Sequence, residues 1–390
     1  MSVDRREFLQ QTAVTLGLAG FPAGHCAASE DDCAAPPAVG EAQLTAPVPY
    51  RVFQRRGFDP RQAHDHAEGG PRRGGADVEL AWTASVDETP VWQSRIVCLE
   101  GASGVSTEWI DLEATRRGAG WHARLRIEAG GWYRLELRGV LAKRTVVAGA
   151  VEPVGVGEVF VVAGQSYAEG ANDELLKVTE PAGRVTAFDF ETGNWQVAHD
   201  PQPRAGAGGT IWPPLGDLLV PLLQAPIGFV NVAVGGTAIR QWQPGEQLYD
   251  RLLKGARGAG DFRAVLWQQG ESDVIEKTPT ATYIERLQNL RGGFARATGN
   301  DAPWLLAQST MHPTVYNDPA GEGRIRRAIE MLWEEPGFAR GPNTDLLTGE
   351  TRGGVGTRRH FTGVGQRRAA QLWFAALWNE LQHPRVRTGA

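Results

Sequence analysis

Hydrophobic and polar positions follow different rhythms in the two halves of the chain. Between about residues 47 and 154, short runs alternate apolar and polar residues and are separated by Gly, Pro and Asp. These runs cover residues 50–53, 78–82, 92–97, 121–125 and 132–137. Alternation with a period of two at such intervals predicts an antiparallel β-sandwich domain over residues 47–154, with a hairpin turn at Gly130-Gly131.

Beyond residue 154, continuous apolar runs alternate with amphipathic segments. The apolar runs predict buried strands at residues 159–163, 227–234, 264–268 and 304–308. Apolar residues recur at helical spacing in residues 215–223, 280–297, 324–333 and 364–381. Buried strands between such helices predict a parallel sheet that is covered on both faces. We therefore expect a second, α/β domain over residues 155–385, with a flavodoxin-like three-layer fold.

Candidate chemistry begins where the first of these strands ends. Gly164-Gln165-Ser166 follows the apolar run directly, which places a hydroxyl nucleophile at the edge of the sheet where ligands bind. A serine after a glycine is also common in ordinary turns. Three more motifs follow in order: Asn-Val-Ala-Val-Gly-Gly-Thr at 231–237, Trp-Gln-Gln-Gly-Glu-Ser-Asp at 267–273, and His-Phe-Thr-Gly at 360–363.

The four motifs together resemble those of the SGNH-hydrolase superfamily, in its sialate O-acetylesterase-like branch, which includes carbohydrate esterase family six. The family pattern Gly-Gln-Ser-Asn reads Gly-Gln-Ser-Tyr here, with Tyr167 in the last place. The Gly-Gly-Thr and Trp-x-Gln-Gly-Glu-x-Asp patterns are intact. The final Asp-x-x-His pattern has Thr357 in place of the Asp. The resemblance covers roughly residues 155 to 382 and implies the flavodoxin-like SGNH hydrolase fold.

The residue types in these motifs support acyl transfer. Ser166 is the proposed nucleophile, and His360 is the proposed base, because a serine hydroxyl needs a neighbouring group to take its proton. The backbone N–H groups of Ser166 and of Gly235 or Gly236 are candidates for the oxyanion hole. The resemblance adds the Gln269 side chain as a third donor.

The acid that would orient His360 is missing from its usual place, because Thr357 carries no carboxylate. Three explanations remain open: a Ser–His dyad that is held by a backbone carbonyl, a carboxylate from Asp345 or Glu350, or an impaired enzyme. Asp345 lies in a stretch that is typical of a structured turn, where it would act as a cap. Glu271 and Asp273 are expected to support the loop and the start of the next helix.

Three tryptophans are candidates for stacking against a bound sugar ring. The chain has 13 tryptophans, and Trp195, Trp212 and Trp242 fall at loops or element edges after the nucleophile and after the Gly-Gly turn. They would either stack against a sugar face or pack in the core.

Composition excludes several classes of partner. The net charge is −5 and the Lys and Arg residues are scattered, so we expect no nucleic-acid partner. No apolar run reaches about 18 residues, so no membrane span is expected. The cysteines lack histidines at zinc-site spacing, and we predict no metal and no other cofactor.

The first residues resemble a twin-arginine export signal. Arg5-Arg6 precedes a mildly apolar stretch at 12–23, which small residues follow up to residue 28. The alternative is an unstructured terminus with a chance arginine pair. We predict a signal peptide at 1–28, a linker at 29–46, passage through the twin-arginine machinery and a periplasmic or extracellular location. Cys33 and Cys98 would then remain, and whether they pair is open.

The expected function is that of an exported carbohydrate O-acetylesterase whose partner is an acetylated carbohydrate. Two alternatives are a carbohydrate-binding protein that has lost turnover and a general esterase for small acyl groups. The sugar, the role of the sandwich and the oligomeric state stay open, because a fold and a nucleophile do not name a substrate.

Overall fold

Strands dominate the first part of the chain, and helices alternate with strands in the second. A computed structural model describes residues 39–60, 73–313, 316–353 and 359–383, all in one compact unit that begins at Val39. The predicted signal peptide, Cys33 and Thr357 lie outside the described residues. Cys98 is half-buried.

The strands of the described residues are β1 (Gly40–Ala46), β2 (Val52–Gln54), β3 (Gly75–Ala84), β4 (Val91–Ser103), β5 (Ile110–Asp111), β6 (Thr115–Arg117), β7 (Gly120–Glu128), β8 (Gly130–Leu141), β9 (Arg144–Gly164), β10 (Val185–Asp189), β11 (Asn194–Val197), β12 (Ile227–Asn231), β13 (Ala264–Gln268), β14 (Trp304–Gln308) and β15 (Phe338–Asn343). The α-helices are α1 (Ser166–Glu169), α2 (Trp212–Leu223), α3 (Gln247–Ala259), α4 (Glu271–Ile275), α5 (Thr280–Thr298), α6 (Pro319–Leu332) and α7 (Gly363–Gln382).

Two antiparallel sheets form the region before the nucleophile. One contains β1, β3, β7 and β6, and the other contains β5, β4, β8 and the first part of β9. Alternate residues of β3 are buried, and Trp82 on this strand meets Trp92 of β4 edge-on, with ring centroids 5.0 Å apart. A separate sandwich domain stays a prediction, because β9 continues without a break across the predicted boundary at residues 154 and 155.

Two sequence predictions in this region are wrong. Residues 40–46 of the predicted linker form strand β1, which pairs with β3 and with β9. Gly130 and Gly131 do not form a hairpin turn, because β7 and β8 pair with partners in different sheets. A side chain at Gly130 would put its Cβ 2.1 Å from the carbonyl oxygen of Ser103, so the chain can cross between the sheets there only with glycine.

The central sheet has the order β11-β10-β12-β9-β13-β14-β15, and all these strands except β11 are parallel. Helices α2 and α7 pack on one face, where Trp212 and Trp373 belong to one core cluster. Helices α3, α5 and α6 contribute to a second core cluster that includes Leu252, Leu287 and Ile329. The α/β class is confirmed, and the four predicted strands and four predicted helices of this half are all present.

The sheet edge at the carboxyl ends of the strands collects the predicted motifs. Strand β12 lies on one side of β9 and β13 on the other, so the strand order reverses direction at β9. Ligands bind at such a switch point in open α/β sheets. Residues 165–166, 232–237 and 269–273 of the first three motifs follow the ends of β9, β12 and β13 at this edge.

The three tryptophans that were candidates for sugar stacking belong to the core. Trp195 is 5% exposed, and Trp212 and Trp242 are fully buried, so the core-packing interpretation is the correct one. No helix among the described residues is long and apolar enough to cross a membrane.

Candidate active site

Ser166 is the first residue of α1, and Gln165 alone separates it from the end of strand β9. Gly164 has a φ of +127°, and a Cβ there would lie 2.1 Å from the carbonyl oxygen of Gln268. Glycine therefore allows β9 to approach β13 closely at this point. The N–H of Gln165 donates to the same carbonyl, at 2.9 Å. This geometry leaves Ser166 half-buried at the edge of the sheet.

The Gly235-Gly236 turn lies beside the nucleophile. A Cβ on Gly235 would be 3.5 Å from the Cβ of Ser166. Gly236 has a φ of +70°, which favours glycine. The hydroxyl of Thr237 donates to the carbonyl of Val234 at 2.7 Å, and this hydrogen bond across the turn stabilises it. The structure thus brings together Ser166 and the two glycines that were predicted for the oxyanion hole.

One of these predicted oxyanion donors is already hydrogen-bonded to the carboxylate of Glu169. The N–H of Gly235 donates to this carboxylate at 2.9 Å. Burial raises the pKa of Glu169, against the opposing effects of the Gly235 N–H and the Arg251 guanidinium. The N–H of Gly236 has no acceptor among the described residues. Of the two glycine N–H groups, it is therefore the one that can donate to a substrate oxygen without first losing a hydrogen bond.

Gln269 is fully buried in a hydrogen-bond network. Its amide nitrogen donates to the carbonyl of Thr237 at 3.0 Å and to the carboxylate of Asp273 at 2.6 Å, and it lies 3.3 Å from Oε1 of Gln165. Its amide oxygen accepts from the hydroxyl of Tyr283 at 2.9 Å. Use of Gln269 as an oxyanion donor stays a prediction, and it would require one of these bonds to open.

Asp273 ties the loop after β13 to its neighbours. Its carboxylate accepts from the N–H of Ile239 at 2.8 Å and from the hydroxyl of Thr278 at 2.7 Å, in addition to the amide of Gln269. Burial raises its pKa. These contacts are those of a residue that supports the loop.

Glu271 is a fully buried carboxyl group at the start of α4. The hydroxyl of Ser309 donates to its Oε1 at 2.6 Å, and Oε2 has no partner among the described residues. Burial raises the pKa of Glu271 to about 8, so the group is mostly protonated at neutral pH.

His360 lies against the residue that follows the nucleophile. Its ring meets that of Tyr167 edge-on, with centroids 5.2 Å apart. Its carbonyl accepts from the N–H of Gly353 at 2.6 Å. No hydrogen bond among the described residues uses the Ser166 hydroxyl or the imidazole. Such catalytic hydrogen bonds are often formed only when substrate binds.

The surroundings of His360 are cationic. Burial lowers the pKa of its imidazole to about 4, and the Arg359, His312 and Arg352 side chains lower it further in that order. The imidazole is therefore neutral over most of the pH range, which is the state that a general base needs.

Neither candidate acid is hydrogen-bonded to His360. Asp345 accepts from the N–H and hydroxyl of Thr310, at 2.8 and 2.6 Å, and pairs with Arg326 at 3.0 Å. It caps the loop after β14, as the turn interpretation predicted. Glu350 is exposed and pairs with Arg368 at 2.8 Å. Among the described residues, no carboxylate therefore contacts the imidazole.

His312 belongs to the site but was not predicted. It is half-buried, its Nδ1 has no hydrogen-bond partner among the described residues, and burial with the nearby Arg359 and Arg352 lowers its pKa to about 4. His312 follows the end of β14, which was predicted as a parallel strand. This position alone could have identified it as a candidate site residue, because ligands bind at the carboxyl ends of such strands. Glu169 and Arg352 gave no comparable signal, because only their tertiary contacts bring them to the site.

Comparisons with known proteins relate part of this chain to carbohydrate esterases. Residues 156–318 match the family model for "carbohydrate esterase, sialic acid-specific acetylesterase". A probable carbohydrate esterase of Arabidopsis thaliana is 41% identical over 70 residues, which are 17% of this chain and 27% of that protein. The crystal structure of a carbohydrate acetylesterase from Xanthomonas citri superposes with a TM-score of 0.54 at 16% identity, over 87% of this chain and 74% of that one. The last of these similarities concerns the fold alone.

Proposed function

We propose that this chain removes O-acetyl groups from a carbohydrate through an acetyl-enzyme, because residues 156–318 match the family model of the sialic acid-specific acetylesterases, which are carbohydrate esterases. The observation that supports this best is the position of Ser166. It lies at the carboxyl end of β9, beside the Gly235-Gly236 turn, while the ring of His360 packs on the adjacent Tyr167.

The reaction would proceed in two steps. The oxygen of Ser166 attacks the acetyl carbonyl carbon while the neutral imidazole of His360 takes the hydroxyl proton. The backbone N–H groups of Ser166 and Gly236 would donate to the oxyanion. The imidazolium then protonates the departing sugar oxygen. In the second step His360 takes a proton from water, whose oxygen attacks the acetyl carbonyl carbon. The bond between this carbon and the Ser166 oxygen then breaks, the imidazolium returns its proton to that oxygen, and acetate is released.

The charge around the site favours an acidic sugar. Arg359 is half-buried next to His360, its Nε has no hydrogen-bond partner among the described residues, and its charge lowers the pKa of both His312 and His360. A substrate carboxylate would form charge-assisted hydrogen bonds with this guanidinium. We therefore propose an acetylated acidic glycan, such as one that contains sialic acid, over neutral acetylated xylan.

Acetate release from a panel of acetylated glycans tests both the activity and the substrate class. We expect faster hydrolysis of O-acetyl sialic acid than of acetylated xylan, with Ser166→Ala inactive and nearly unchanged in its melting temperature. Arg359→Gln should reduce the rate on the acidic substrate more than the rate on an uncharged aryl acetate. Equal activity of Ser166→Ala and wild type would remove the nucleophile assignment, and a preference for neutral xylan would remove the acidic-sugar assignment.

A catalytically weakened binding protein is the second candidate. It is favoured by the occupied N–H of Gly235 and by the lack of a carboxylate at His360 among the described residues. Titration calorimetry with an acetylated glycan separates the two functions. A binder would give a saturable signal without acetate, whereas the esterase would release acetate in every titration.

Export through the twin-arginine route remains part of the proposal. Its support is the Arg5-Arg6 pair and the stretch that follows it. A variant with lysine at both positions should remain uncleaved inside the producing cell. Normal export of that variant would contradict the twin-arginine route.

A further inference from the structure

Tyr167 departs from the family pattern directly after the nucleophile, and the structure gives it a specific set of contacts. It is 1% exposed. Its hydroxyl donates to the carbonyl of Arg359, the residue before His360, and accepts from the guanidinium of Arg352. Its ring lies edge-on against the imidazole of His360. One side chain next to the nucleophile thus contacts both the ring and the preceding peptide of the proposed base.

Arg352 is a buried cation that binds backbone carbonyls. It is 6% exposed, and no described carboxylate pairs with it. Its Nε donates to the carbonyl of Leu347 at 2.6 Å and its Nη2 to that of Thr344 at 3.0 Å. Its Nη1 donates to the Tyr167 hydroxyl and lies 3.3 Å from the Arg359 carbonyl. The rigid guanidinium therefore connects the loop after β15 to the peptide that precedes His360.

The peptide after His360 is fixed as well. The N–H of Phe361 donates to Oδ1 of the buried Asn172 at 3.2 Å. The ring of Phe361 packs on that of Tyr167, with centroids 4.6 Å apart, and the Arg352 guanidinium lies 4.6 Å from its centroid. Backbone hydrogen bonds and ring contacts thus hold the chain on both sides of the imidazole.

We propose that Tyr167 and Arg352 are the positioning residues of His360, and that they orient its imidazole in place of the missing aspartate. A carboxylate in a Ser–His–Asp triad orients the imidazole and also stabilises the imidazolium. The Tyr167–Arg352 pair supplies only the first of these effects, because it adds positive charge instead of negative charge. This inference rests on the proposed function, since the orientation of His360 matters only if His360 is the base.

Tyr167→Phe tests the proposal, because it removes one hydroxyl and keeps the ring. We expect kcat on an aryl acetate to fall about ten- to hundredfold with KM changed less than about twofold, since small displacements of a catalytic group cost rates of this size. The matched control is Tyr133→Phe, which removes a buried hydroxyl that donates to the carbonyl of Glu128 at 3.2 Å in the antiparallel region. The control should keep full activity at a similar loss of melting temperature.

Arg352→Lys is the second variant and keeps the charge without the planar fork. We expect kcat to fall by a similar factor, while the acid limb of the pH profile stays unchanged because the positive charge is kept. The double variant with Tyr167→Phe should be little slower than either single variant, because both residues act on the same peptide. Additive losses in the double variant would contradict a shared role.

The outcomes separate this inference from the proposed function. Wild-type protein without Ser166-dependent hydrolysis would overturn the proposed function and the inference with it. Ser166-dependent hydrolysis that is unchanged in both Tyr167→Phe and Arg352→Lys, measured per folded molecule, would overturn the inference alone. A fall in kcat that disappears once the rate is expressed per folded molecule would also overturn it.

Discussion

The backbone N–H of Gly235 donates to the carboxylate of Glu169 at 2.9 Å. Glu169 is the last residue of the short helix α1, which begins at the proposed nucleophile Ser166. The carboxylate also lies close to the space beside Ser166, because a Cβ on Gly235 would be 2.6 Å from Glu169 Oε2 and 3.5 Å from the Ser166 Cβ. An ionised group in this place opposes the negative charge that develops on the substrate oxygen. Glu169 therefore bears directly on the rate of the chemical step.

Glu169→Gln should raise activity at neutral and alkaline pH. The amide keeps an oxygen that can accept from the Gly235 N–H but removes the negative charge, and we expect kcat/KM on an aryl acetate to rise about three- to tenfold, the size of about 1 kcal/mol of charge repulsion. Burial raises the pKa of Glu169, so the wild type loses this charge at a higher pH than an ordinary glutamate does, and the activities of the two enzymes should converge as the pH falls.

The pH dependence of kcat/KM distinguishes this effect from a loss of structure. The matched control is Glu79→Gln, which neutralises an exposed carboxylate paired with Arg124 in the antiparallel region and should change nothing. A Glu169→Gln variant that is slower at every pH would show that the carboxylate is needed to hold the Gly235 turn.

The acid limb of the pH profile should lie near pH 4. His360 must be neutral to act as a base, and its pKa is lowered from 6.5 to about 4. Arg359 is the largest charged contributor to this shift, so Arg359→Gln should move the limb upward by a fraction of a pH unit to about one unit. A limb near 6.5 in the wild type would contradict the assignment of His360.

Folding has to be followed in the same experiment. His360 and His312 both have lowered pKa values in the folded state, so the unfolded chain binds protons first as the pH falls below 6.5. Their contribution to stability is full above 6.5 and is lost as the pH falls towards about 4. Circular dichroism at each pH separates this loss from titration of the base.

Glu271→Gln should make stability less dependent on pH. The buried carboxyl has its pKa raised from 4.5 to about 8, so its proton stabilises the folded state fully below 4.5 and this contribution is lost as the pH rises towards 8. The variant carries no titrating group there, and its melting temperature near pH 8 should exceed that of the wild type by a few degrees, since about 1 kcal/mol corresponds to roughly 2–4 °C. An equal drop in melting temperature between mild acid and about pH 8 in both proteins would show that Glu271 is ionised in the fold.

The sequence predicted the elements of the sheet better than the contacts of the site. Residues 264–268 and 304–308 were expected as strands, and they coincide with β13 and β14, because continuous apolar runs have one stable place in a covered parallel sheet. The helix α3 was missed, although its buried face includes Leu252.

The places of three candidate site residues in the fold could be predicted from the sequence. Ser166 and the two glycines follow strand ends, and strand ends are visible in a hydrophobic pattern. Partners such as Glu169 for Gly235, or Arg352 for Tyr167, depend on which side chains meet after folding. Trp212 and Trp242 show the same limit, because they pack against Trp373 of α7 and Trp267 of β13, which are distant in the sequence.

Thr357→Asp should restore the charge that a triad supplies. Thr357 lies outside the described residues, so this prediction rests on the family pattern, which has an aspartate three residues before His360. A carboxylate next to the imidazole favours the imidazolium, which raises the pKa of His360 from about 4. We therefore expect the acid limb of kcat/KM to move to higher pH while kcat at neutral pH rises about tenfold with little change in KM.

The gain should stay far below the factor of about 10⁴ that the aspartate provides in serine proteases, for two reasons. The Tyr167–Arg352 pair already orients the imidazole, and Arg359 next to it would attract the new carboxylate. Thr357→Asn is the control, because it has the same size as aspartate without the charge, and it should change neither kcat nor the acid limb. A rise in kcat in Thr357→Asn as well would show that packing rather than charge limits the base. An unchanged acid limb in Thr357→Asp would show that the aspartate does not reach His360.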